Sequence, residues 1–214
     1  MKGVDKIGIW RKHMKIDEFI LKWKKAEPDS IFVKYNPQIL LQRGVSEELK
    51  NQLSEYGLPE SAAPYLNFKN IEDMSFLFRD YYYLGFTGNG DWICLSSKNG
   101  KILIVDHEIY GEEEDDDNYE NDAENSAGDA EDVCDDEDFE GIYLLNTSLE
   151  KLYDSLLVYR SFVEETLSDN VKNDCKEYRK LILQLKKTLT QIDEKAMDDD
   201  GFWAMEISSL CEDI

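Results

Sequence analysis

Histidine is scarce in this chain, with two residues, His13 and His107. His107 stands between Asp106 and Glu108, and an imidazole flanked by carboxylates has the residue types of a general acid–base pair. The preceding aliphatic residues 102–105 read as a strand, and in an extended chain residues two apart share a face. Asp106 and Glu108 are then expected on one face and His107 on the other. Acid–base work would also need a nucleophile or a substrate pocket. Cys94 does not supply one, because between Ile93 and Leu95 it reads as a small core residue and not as an activated thiolate. The chain contains no G-x-S-x-G, Walker A or H-E-x-x-H pattern. These residues point away from an enzyme, and Asp106-His107-Glu108 reads as a polar cluster at a strand end that sets hairpin geometry.

The second chemically loaded stretch is residues 112–140, with 17 Asp or Glu in 29 positions and no Lys or Arg. Its nearest approach to a calcium loop starts at Asp136, with Asp138, Glu140 and Gly141 at positions 3, 5 and 6. Position 5 carries Glu in place of Asp or Asn, and position 12 falls on Thr147, where a bidentate Glu is required. No metal or cofactor is expected beyond loose association of divalent cations. Tyr119, Val133 and Phe139 are the main apolar residues of the run, so like-charge repulsion goes unopposed and a disordered loop insertion is expected.

That run dominates the charge of the chain. The net charge is −23, but outside the run 30 acidic residues face 24 basic ones. An ordinary domain therefore carries one polyanionic segment. Nucleic acid and anionic membranes are poor partners for it, whereas a basic protein is the natural one. Candidate partner-binding residues are Glu112, Glu113, Glu114, Asp115, Asp116, Asp117, Tyr119, Asp135, Asp136, Glu137 and Asp138. The cysteines Cys94, Cys134, Cys175 and Cys211 show no C-x-x-C spacing, and no apolar signal-like segment follows Met1. A cytoplasmic protein with reduced thiols is the expectation. Nothing in the pattern indicates an oligomeric state.

The elements that must hold these residues are legible in outline. Residues 1–25 carry eight Lys or Arg against three acids, and Ile16, Phe19, Ile20 and Trp23 recur at helical spacing over 14–25. The "SIFVKYNP" stretch reads as a short strand closed by Pro37. In "VSEELKNQLSEYGLP", Ser46 can cap a helix, Gly57 sits where a left-handed residue ends one, and Pro59 blocks continuation. Four β-rich runs follow, "YYYLGF", "DWICLSS", "KILIVDH" and "GIYLLN". "TGNGD" joins the first two, and Asn99-Gly100 between the second and third suggests a type I′ turn. Thr147 and Glu150 have the T-x-x-E spacing of a capping box ahead of a helix bearing Leu149, Leu152, Tyr153, Leu156, Val163 and Leu167. A further stripe of Val171, Cys175, Tyr178, Ile182, Leu185, Leu189 and Ile192 is expected to pack on the domain. Asp200 is a candidate cap for a last helix carrying Phe202, Trp203 and Leu210. The order predicts a single α+β domain over residues 1–214. Its sheet is an antiparallel meander, or a mixed sheet, with helices mainly on one face.

The stretches "EYGLPESAAPYLNF", "LGFTGNGDWICLSSKNGKILIVDHE", "YLLNTSLEKLYDSLLVYRSF" and "FWAMEI" follow one another in an order that resembles the SUKH superfamily, the Smi/Knr-like proteins. The fourth SUKH group, of bacterial immunity proteins, is the nearest likeness. The resemblance spans roughly residues 46–210 and rests on several matched positions. These are Gly57 and Pro59, Gly90-Asp91, Asn99-Gly100, Asp106-His107-Glu108, Asn146-Thr147-Ser148 with Glu150, and Trp203. The first 45 residues and the acidic run depart from it. The resemblance implies a non-enzymatic immunity protein of a polymorphic toxin system, binding and neutralising a cognate toxin domain such as a nuclease in the bacterial cytoplasm. The alternative is a regulatory or scaffold module of the same fold with no toxin partner.

Overall fold

The computed structural model describes residues 15–71, 80–110, 140–168, 171 and 174–212. The first helix, α1 (Ile16–Ala26), buries Phe19 and Trp23 and leaves its lysines outward, as its periodicity predicts. Strand β1 (Phe32–Val33) follows, but Pro37 does more than close it. Pro37 is the first residue of a short helix α2 (Pro37–Gln42), capped by the Asn36 side chain, whose oxygen accepts from the Gln38 N–H. Helix α3 (Glu47–Asn51) starts at the expected cap, where the Ser46 hydroxyl accepts from the Leu49 N–H. It continues as a π-helical turn, Gln52–Tyr56.

Gly57 ends that turn with φ +76° and ψ −166°, an extended backbone of positive φ and not the left-handed helical cap expected. A Cβ there would lie 2.0 Å from the Val33 carbonyl oxygen, so only glycine lets β2 (Leu58–Pro59) pair with β1. Pro59 thus belongs to a two-stranded antiparallel ribbon.

Six strands form the main sheet in the order β3-β4-β5-β6-β7-β8, all antiparallel neighbours. They are β3 (Ser61–Ala62), β4 (Leu66–Phe68), β5 (Tyr81–Phe86), β6 (Trp92–Ser96), β7 (Ile102–Val105) and β8 (Ile142–Asn146). The meander and its last four strands match the sequence patterns; β3 and β4 are additions. All four residues of β7 are buried, so both faces of that strand are covered, which is why it reads as an unbroken aliphatic run. The turn from β6 to β7 is not type I′. Gly100 alone has positive φ there, and the Ser96 N–H bonds the Lys101 carbonyl around a four-residue loop.

After β7 the chain forms a single helical turn, α4 (His107–Tyr110). The C-terminal third is helical: α5 (Leu149–Thr166), α6 (Cys175–Ile192), a 3₁₀ turn Lys195–Met197 and α7 (Phe202–Glu212). Helix α5 is nearly all core on its inner face, from Leu149 and Leu152 to Tyr159 and Phe162. The stripe of α6 packs against α5 and α7, with Ile182, Leu185, Leu189 and Ile192 buried; Val171 precedes the helix and Cys175 is exposed. The carbonyl that opens α7 is Gly201's, accepting from the Ala204 and Met205 N–H groups, so the capping position is one residue past Asp200. Helix α1 is riveted to this layer: the Phe19 and Tyr153 rings stand 4.6 Å apart, and the Arg160 guanidinium lies 4.8 Å above the Trp23 ring.

Candidate functional site at the foot of the acidic run

Register explains why Asp91 and Asp106 meet. Trp92 pairs with Val105 across β6 and β7, so the residues just outside that pair, Asp91 and Asp106, are neighbours at the same end of the sheet. Asp91 is fixed by the β5–β6 turn. Its backbone carbonyl accepts from the Thr87 N–H at 2.8 Å, and its Oδ2 accepts from the Thr87 hydroxyl at 3.3 Å. Asp106 is held from the other side, since its N–H donates to the Gly141 carbonyl at 2.8 Å. The Asp106 Oδ1 accepts from the Glu108 N–H at 2.8 Å and so turns the chain into α4.

That turn corrects the expected side-chain arrangement. In an extended strand His107 would face away from Asp106; in the helical turn it swings toward the same corner. Its Nδ1 lies 3.0 Å from Asp91 Oδ1. The Asp91, Asp106 and His107 donor atoms all fall within 4.8 Å of one another. The hydrogen bond to Asp91 raises the His107 pKa above its ordinary value against partial desolvation, and the charges of Asp91, Glu108 and Asp106 add to the effect. Gly90 lies beneath the ring, where a Cβ would come within 3.3 Å of His107 Cε1.

Residues 111–139 join the end of α4 to Glu140, so the run begins and ends at this corner. Ile109 packs against Gly141 where the two flanks meet; a Cβ on Gly141 would lie 2.6 Å from Ile109 Cδ1. The partner-binding candidates from Glu112 to Asp117, with Tyr119 and the Asp135–Asp138 group, lie outside the described residues, as does the start of the calcium-like stretch.

The other motif residues gather elsewhere, in a buried cluster. Asn146 at the end of β8 is fully buried and makes three bonds. Its Oδ1 accepts from the Trp203 indole N–H at 3.1 Å, and its Nδ2 donates to Ser155 Oγ and Asp193 Oδ2, each at 3.2 Å. Thr147 is not the helix cap expected. Ser148 is, its hydroxyl accepting from the Lys151 N–H at 3.3 Å. Thr147 instead gives its N–H to Asp193 Oδ2 at 2.7 Å and its hydroxyl to Asp193 Oδ1 at 3.0 Å. Glu150, the expected partner in a capping box, accepts from the Gln52 side-chain amide at 2.7 Å.

Asp193, Lys151 and Ser155 were not singled out from the sequence. Lys151 Nζ stands 3.0 Å from Asp193 Oδ1. Asp193 lies just past the last apolar residue of α6, and no local pattern marks it as the acceptor that joins β8, α5 and α6. The cluster is a structural clasp, closed to solvent on most sides: Asn146, Ser155, Asp193 and Trp203 are all buried.

Cys94 is buried against the sheet, and burial pushes its thiol up to about 12, which keeps it protonated and unreactive at neutral pH. Among the described residues no helix is long and apolar enough to cross a membrane. No family model matches the chain, and neither a curated protein nor a solved structure matches it.

Proposed function

We propose that this chain is a non-enzymatic immunity protein that binds and neutralises a toxin domain with a basic active-site groove, a nuclease for preference, in the bacterial cytoplasm. One observation carries the reading: 17 carboxylates are inserted between two paired strands, β7 and β8, so that a polyanion leaves and re-enters one corner of a packed sheet. A nuclease must hold phosphates on basic surface, and a tethered polyanion of this density competes for that surface and speeds encounter. The resemblance of the ordered motifs to the SUKH immunity proteins is what favours a toxin as the partner class. The burial of Cys94, whose thiol is held protonated, is in keeping with a non-enzymatic role.

The test uses the full chain as bait in lysate of its native cell, with mass spectrometry of what it retains, followed by affinity measurements on the captured partner. Deletion of residues 112–138 is expected to weaken binding and flatten its dependence on salt, because exposed charges are screened over about 8 Å at physiological ionic strength. Unchanged affinity with an unchanged salt slope would rule out a role for the run. His107→Ala is expected to leave protection of a toxin-exposed cell intact; loss of protection with the fold preserved would favour an enzymatic role.

A further inference from the structure

We infer that Asp91, Asp106 and His107 form a binding site for a single divalent transition-metal ion of the zinc class at the corner where β6, β7 and α4 meet. The donors come from two places in the chain: Asp91 from the β5–β6 turn, and the consecutive Asp106 and His107 where β7 gives way to α4. Antiparallel register brings the two carboxylates together, and the turn into α4 adds the imidazole. All three donor atoms lie within 4.8 Å of one another. Ligands at roughly 2.0–2.2 Å from a common ion stand a little closer than that, a contraction that side-chain torsions supply.

The donor set selects the ion. One imidazole nitrogen with two carboxylates suits zinc and its first-row neighbours, whereas calcium and magnesium prefer all-oxygen shells. Three protein ligands leave room for water, so the ion would be accessible and exchangeable. The His107–Asp91 contact by itself leaves a second carboxylate, Asp106, in the same small volume, and two neighbouring carboxylates repel. A divalent ion offsets that repulsion and ties the β5–β6 turn to the end of β7. The acidic run is joined to the chain after α4 on one side and at Glu140 on the other, and its charge favours cations. The inference does not depend on the proposed toxin partner, and its test involves none.

Cobalt(II) reports the site directly, because imidazole and carboxylate coordination generates visible ligand-field absorption. Titration of the full chain is expected to saturate at one equivalent, and Zn²⁺ is expected to displace the signal. His107→Gln and Asp91→Asn should each weaken the site by about tenfold or more, with circular dichroism and thermal melts verifying the fold. Deletion of residues 112–138 should lower affinity modestly while leaving the absorption spectrum in place. A measurement without any variant guards against misfolding: one equivalent of Zn²⁺ should shift the His107 Nδ1 resonance in the nitrogen-15 spectrum. The inference is overturned if no ligand-field bands develop, if His107→Gln binds cobalt with undiminished affinity and an unchanged spectrum, if the bands vanish when only the run is deleted, or if the Nδ1 resonance does not respond.

Discussion

The clasp around Asp193 and the corner around Asp91 are built from the same chemistry in opposite settings. Each pairs a carboxylate with a nitrogen donor and recruits a threonine hydroxyl. In the clasp Asp193 is 2% exposed, whereas at the corner the side chains of His107 and Asp91 are 38% and 24% exposed. A buried carboxylate must have its lone pairs satisfied, so Asp193 collects donors from Asn146, Thr147 and Lys151 and locks three elements together. At the corner the side chains are partly exposed, the ion pair contributes little to stability, and the groups remain available to a ligand. Burial, more than residue type, divides the motif residues into those that hold the fold and those that can act.

The largest effect is expected from breaking the clasp. Asp193→Ala leaves Lys151, Thr147 and Asn146 donors without their acceptor, and the loss should be roughly 3–5 kcal/mol by urea unfolding. A loss below about 1 kcal/mol, the value of an exposed pair, would show that the two regions do not differ as argued. Trp203→Phe keeps most of the ring but removes the indole donor to Asn146 Oδ1 and should cost about 1–3 kcal/mol. A midpoint matching the unmutated protein would mean that the Asn146 carbonyl finds another donor.

Alkaline titration examines the interior more broadly. Cys94 and Tyr83 are both pushed up to about 12 by burial, so the folded state holds protons that the unfolded state releases from about pH 9 upward. Stability is therefore complete below about pH 9 and declines as pH rises toward 12. The check is the urea midpoint at stepped pH; a flat profile through that window would contradict the burial assigned to these groups. The smallest effect is expected at the corner. His107→Gln, measured in chelator at neutral pH, should leave the thermal midpoint unchanged, and a large drop would make the corner a structural clasp like the other.

Local signals account for what was legible. Alternating and continuous apolar runs mark β5 to β8, and the Ser46 cap and the stripes of α1, α5 and α6 follow from spacing alone. Other features were misread for physical reasons. Thr147-x-x-Glu150 satisfies the spacing of a capping box, but a buried acceptor 46 residues away, Asp193, competes for the Thr147 donors and Ser148 takes the cap. Asn99-Gly100 suits a two-residue turn, but β6 stops at Ser96, two residues short of where that turn would begin, so the loop takes four residues and only Gly100 has positive φ. The aliphatic run 102–105 extends the strand pattern toward His107, but the Asp106 side chain bonds the Glu108 N–H and ends the strand there.

By itself the sequence determined the α+β order of elements, the meander, the place of the acidic insertion between β7 and β8 and the buried character of Cys94, since each depends on composition and spacing over a few residues. Tertiary structure alone decided that Asp91 meets His107 and that Asp193 meets Asn146 and Thr147. Those contacts join residues 16 to 47 positions apart, and they follow from strand register and helix docking, which no local pattern specifies.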